Sequence, residues 1–171
     1  MIRGGRLVVR DLSGSAAAEM AFVLPLLLMI MFGAAEVGNY FLNQHGLVKA
    51  VRDGARYAAR QPFGNYTGCS GSPGGSVVQN TKNIVLKGYL DPNKGTTITP
   101  NLQAADISVT TSCATTAGGQ NMTGIYQGRV TGAQIVTVSA TATYQPIVAS
   151  LGFRSVGIRL NASSQAAVMG V

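Results

Sequence analysis

Apolar and polar positions follow three regimes along the chain. From Ala16 to Ala35, twenty residues are almost uniformly apolar, and Glu19 is the only charge among them. A helix of that length rises about 30 Å, the thickness of a bilayer's hydrocarbon core. Pro25 lies inside the block; in a membrane helix, neighbouring helices can absorb the bond it removes. From residue 36 the pattern becomes amphipathic. Val37, Phe41, Val48, Val51 and Ala55 recur at steps of three, four or seven, while Asn39, Asn43, Lys49, Arg52, Asp53, Arg56 and Arg60 take other faces. Pro62 disfavours helix at the residue before it. The two patterns together predict one helix from about Ser15 to Arg60, roughly 70 Å long, half in lipid and half beyond it.

After Pro62 the pattern changes again. "PFGNYTGCSGSPGGS" (62–76) reads as a loop, "SVVQNTKNIVLKGYL" (76–90) as a short helix and "DPNKG" (91–95) as a turn. Strands are predicted at 96–100, 106–112, 133–145 and 156–168, with a further loop over 115–124. In the third of these, Ile135, Thr137, Ser139, Thr141 and Thr143 alternate with Val136, Val138, Ala140, Ala142 and Tyr144, as in a sheet with one covered face. The expected fold class is α+β: a long N-terminal helix, partly transmembrane, then a small domain with a short helix and a largely antiparallel sheet. The divisions are a basic leader (1–14), a transmembrane part (15–35), an amphipathic extension (36–61) and an exported domain (62–171).

Charge sharpens this organisation. Charged residues make up 11% of the chain, well under the usual quarter. Arg3, Arg6 and Arg10 precede the apolar block, which keeps the N-terminus cytoplasmic and sends the rest across. Cys69 and Cys113, the only cysteines, then stand in an oxidising compartment, where a disulfide is expected.

An acid near the start of a membrane span needs a cation. Cleavage after Gly14 would supply one, because Ser15 would carry a new α-amino group four residues before Glu19, on the same helix face. That amine, or the amine of an adjacent subunit, pairs with Glu19 more favourably than either charge stands alone.

A glycine, four residues and a glutamate ahead of an apolar helix form the class III signal of type IV prepilins. Residues 14–59 resemble the TadE-like family through the Ala-rich G-x-A-A-A-E, "VLPLLL" (23–28), Glu36 after a Gly-containing block, and "DGARYAA" (53–59). Members are minor pilins or pseudopilins of tight-adherence (Flp, type IVc) pilus systems. The resemblance implies that Gly14 and Ser15 flank the processing site and that Glu19 is the helix-assembly charge. It also implies a bacterial inner-membrane location, and as partners a prepilin peptidase, other pilin subunits and a pilus assembly platform. Met20 departs from the family, which commonly has Phe or Tyr there; this argues against a main structural subunit. Gly33, Ala34 and Gly38 offer close helix approach.

Arg52, Arg56 and Arg60 form a basic stripe, read either as a solvated face with a Lys49–Asp53 pair or as a contact for acidic partners, DNA among them. Glu36 sits at the outer interface or pairs with a neighbouring subunit. His45 is the only histidine and has no second ligand at i+4, so neither a metal nor any other cofactor is expected. After Asp53 the only carboxylates are Asp91 and Asp106, which leaves no acid–base constellation for an enzyme. Two other readings remain open: an uncleaved bitopic scaffold, and a domain secreted after cleavage before Glu36.

Overall fold

The computed structural model describes residues 13–117, 120–151 and 157–170. Arg3, Arg6 and Arg10 of the expected leader lie outside the described residues. Helix α1 spans Ser13–Ala59 and continues through Pro25. Two compact units divide at Gly38 and Asn39, within that helix.

In the first unit the apolar side chains from Met20 to Phe32 are exposed. The helix that carries them is long and apolar enough to cross a membrane.

The second unit, 39–171, is an α+β domain. It contains α2 (Val77–Lys87) and strands β1 (Ile107–Ala114), β2 (Thr116–Ala117), β3 (Gln120–Asn121), β4 (Ala133–Thr143) and β5 (Arg159–Ala167). The main sheet has the order β1-β4-β5 and is antiparallel throughout, while β2 and β3 form a two-residue ladder. Val136, Val138, Ala140, Ala142 and Tyr144 are buried, as their alternation dictates. The opposite face is polar and uncharged at its centre: the Ser108 and Ser139 hydroxyls lie 2.8 Å apart, and Thr141 donates to Asn161 Oδ1 at 2.9 Å.

The covered face of the sheet shares one core with α1 and α2. Leu47, Ala50, Val51, Ala55, Ala58 and Ala59 of α1 pack with Val85, Val109, Val138 and Leu160. Gly54 brings the two helices together, because a Cβ there would come within 2.5 Å of Val85 Cγ2. Helix α2 ends at Gly88 in the left-handed conformation (φ 77°), where the Gly88 amide caps the Ile84 carbonyl.

The strand expected at 96–100 does not form. Ile98 N–H donates to Leu86 O at the end of α2, and Pro100 has no amide to extend a ladder. The β-branched run therefore lines the helix terminus.

Tyr66 ties the loop after α1 back to the helix, its hydroxyl donating to Ala58 O. Burial, with the Tyr57 phenol nearby, pushes its pKa from 10.0 to about 12. The fold holds the neutral phenol, while the unfolded chain ionises at the ordinary value. Stability from this group is thus complete below pH 10.0 and is lost as pH climbs to about 12. In Tyr66→Phe that alkaline loss should shrink, at a neutral-pH cost of about 1 kcal/mol for the hydrogen bond. Thermal melts from neutral to strongly alkaline pH check both effects.

Candidate functional site

Helix α1 presents two exposed surfaces. The first is the exposed apolar stretch before Asn39. Gly14 and Ser15 lie in its opening turns, and Glu19 is exposed one turn further on. Four residues of helix rise about 6 Å, so Glu19 is within reach of an amine at Ser15. A Cβ built on Gly33 or Gly38 meets nothing within 4 Å, which leaves both positions open to close approach by another helix. Glu36 is partly buried near the end of this stretch.

The second surface is the outer face of α1 in the domain. Leu47, Ala50, Val51, Gly54, Ala55, Ala58 and Ala59 turn inward, which forces His45, Lys49, Arg52, Arg56 and Arg60 outward. Arg52, Arg56 and Arg60 thus share one solvent-facing stripe. Asp53 pairs with Arg56 at 3.7 Å rather than with the expected Lys49. Both side chains are well exposed, so this pair is worth at most about 1 kcal/mol. Arg56 and Arg60 border a shallow apolar groove with Ile125, Tyr126 and Met169.

Cys69 and Cys113 are joined in a disulfide, with Cα atoms 4.9 Å apart. The bridge pins the 62–76 loop to the end of β1, and Thr111 N–H adds a bond to Gly71 O at 2.7 Å. Among the described residues no cluster of three His, Cys, Asp or Glu side chains is placed to hold a metal.

Two features escaped the sequence reading. Gly54 was hidden because an isolated helical glycine carries no signal of what it packs against. The other is an aromatic cluster at the start of the domain: Tyr40 meets Phe41 at 5.9 Å and Tyr144 at 5.4 Å, both edge-on, while Asn39 Nδ2 donates to Tyr144 Oη at 2.9 Å. Tyr40 and Tyr144 are far apart in sequence, so only the fold reveals the pair.

Residues 14–56 match the family model described as TadE-like protein, the family that the motifs of this segment resemble. The match covers about a quarter of the chain, and with the apolar helix it fits a pilus-associated protein of structural type. No curated protein and no solved structure matches the chain.

Proposed function

We propose that this chain is a TadE-like minor pilin or pseudopilin that helps assemble or cap a tight-adherence pilus for surface attachment. The observation that carries the reading is the family match over 14–56, the segment that joins Gly14, Glu19 and the apolar helix. In this reading the span anchors the chain in the inner membrane, N-terminus inside, before assembly. A prepilin peptidase cuts between Gly14 and Ser15, and Glu19 pairs with the amine that cleavage creates. The exposed small positions Gly33, Ala34 and Gly38 then seat against other pilin helices, and the disulfide-bonded domain faces outward. The protein is a substrate of the peptidase and a structural subunit.

The test is N-terminal sequencing and intact mass of the protein from its native membrane, with and without the peptidase. A start at Ser15 that requires the peptidase is the expected result, and Gly14→Val should leave the chain uncut. A start at Met1 would make it an uncleaved scaffold. A start at Glu36 would make it a secreted domain and remove Glu19 altogether.

A further inference from the structure

Two hydrogen bonds fix the direction of every backbone group along β5. Tyr144 N–H donates to Ile158 O at 2.9 Å just before the strand, and Val168 N–H donates to Gln134 O at 2.8 Å just after it. The pairs between them keep one unbroken register. Even-numbered residues of β5 therefore turn their amides and carbonyls to β4, and odd-numbered ones turn theirs away. The sheet order β1-β4-β5 puts no strand on that side. One outward group is taken, because Asn161 O accepts from Gln44 Nε2 at 2.9 Å. Among the described residues, no hydrogen bond reaches the outward groups of Ser163, Gln165 or Ala167, and all three residues are exposed. Past Arg159 the strand has neither proline nor charge, the usual guards of a free edge.

Helix α1 runs beside this edge. Gln44 meets Asn161 near one end, and Met169 N–H donates to Ala59 O at 2.8 Å near the other. The helix rises about 22 Å from Gln44 to Ala59, and an extended chain advances about 26 Å from Asn161 to Met169. Ala59 marks the flank of α1 that faces the edge. With Arg56 and Arg60 it lines a groove of about 570 Å³, opposite Ala166 and Ala167. Around the helix, at about 100° per residue, Arg52 falls within about 20° of Ala59 and Arg56 within about 60°. Arg52, Arg56 and Arg60 follow one another at rises of about 6 Å. Side chains on one face of a strand are about 6.6 Å apart. A strand laid beside β5 would thus offer every second side chain to one of the arginines.

The carboxylate side chains of the domain leave this flank basic. They are Asp53, Asp91 and Asp106. Asp53 lies about 120° around the helix from Ala59, and it holds Arg56 only in the exposed 3.7 Å pair. Asp91 follows α2, and Asp106 precedes β1 at the other edge of the sheet. Arg52 and Arg60 make no ion pair among the described residues. These cations disfavour a second copy as the occupant. Strand β5 carries Arg159 and no acid, and nowhere in the chain do two acids stand two residues apart. Nucleic-acid phosphates would meet the arginines but leave the outward amides and carbonyls of β5 unanswered.

We propose that the β5 edge from Ser163 to Ala167, with the Arg52–Arg56–Arg60 flank beside it, is a docking groove for an extended segment of another protein, which adds as a fourth strand and carries acidic side chains at alternate positions. The backbone bonds hold the segment whatever its sequence, and the arginines select for its acids. Its remaining side chains lie on the polar face beside Ser163 and Gln165. This reading stands apart from any cleavage of the N-terminal segment.

The test uses the full chain in detergent micelles and a capped peptide, Thr-Glu-Thr-Glu-Thr-Glu-Thr, with its lysine counterpart. Amide hydrogen exchange is followed residue by residue. Without peptide, the amides of Ser163, Gln165 and Ala167 should exchange freely, while those of Ala162, Ser164 and Ala166 are protected by β4. The glutamate peptide at millimolar concentration should slow the first three by about tenfold or more, and the lysine peptide should not. In the triple variant Arg52→Glu, Arg56→Glu, Arg60→Glu the preference should reverse; should that variant fail to fold, the two peptides on the parent chain decide. Protection of the three amides before peptide is added would mean that the edge is already covered, and would overturn the proposal. So would a glutamate peptide that fails to slow them, or two peptides that slow them equally. If a short DNA duplex binds and loses its binding in the triple variant while the peptide slows nothing, the stripe is a phosphate-binding face and the strand groove is overturned.

Discussion

Reducing the Cys69–Cys113 bridge is expected to lower the stability of the domain by up to about 4 kcal/mol. The cysteines are 44 residues apart. The chain-entropy account gives that figure for freeing such a loop in the unfolded state. The native state should lose something too. The bridge holds the 62–76 loop against β1, and without it the Thr111–Gly71 backbone bond has less to keep it in place. Cys69 is exposed, so a reductant can reach the bridge without prior unfolding. Denaturant titrations of the domain with and without reductant, and of Cys113→Ser, should show matching drops in midpoint. Coincident midpoints would mean that the loop is held by its other contacts alone.

Replacing Gly54 by valine is the substitution expected to cost most among the glycines of α1. A Cβ at Gly54 falls 2.5 Å from Val85 Cγ2 and 3.4 Å from Thr81 Cγ2, and both residues are fully buried. Val85 is β-branched and has little rotamer freedom with which to retreat. The two helices must separate, and overpacking of this kind costs about 1–3 kcal/mol. Gly38→Ala is the internal comparison: nothing lies within 4 Å, and alanine is the better helix former by about 1 kcal/mol. The Gly54→Val domain should therefore melt earlier, while Gly38→Ala should melt no earlier than the parent. If Gly38→Ala nonetheless impairs assembly in cells, the defect lies in helix–helix approach between subunits.

Periodicity found the elements that are governed by burial on one face. The alternation in 135–144 placed Val136, Val138, Ala140, Ala142 and Tyr144 on the covered face, because a strand has only two faces and one of them is covered; it did not reach Gln134, which is fully buried. The continuous helix across residues 15–59 was legible for a similar reason, since no breaker stands between the apolar and amphipathic stretches. Val51 and Ala55 were read correctly as buried. Val37 and Phe41, on the same template, are exposed: Val37 precedes the domain, and at Phe41 the core has not yet begun, its first α1 residue being Leu47. The segment 96–100 misled because β-branched composition says nothing about partners; its one decisive bond goes to the end of α2. Asp53 chose Arg56 over Lys49, a choice between i+3 and i−4 neighbours that spacing leaves open. Of the candidate surface, Arg52, Arg56 and Arg60 were visible as a stripe, while the Tyr40–Tyr144 contact depended on the fold.

The loop fastened along β1 also shields part of one edge of the sheet. A bare outer strand invites another chain to extend the sheet, the route by which β-rich proteins run into uncontrolled fibres. Here the Gly71 carbonyl already occupies the Thr111 amide, and the disulfide keeps it there. That covers part of one edge of the sheet; at the other edge, β5 pairs only with β4. Before oxidation the Thr111 amide is less guarded against pairing with another chain.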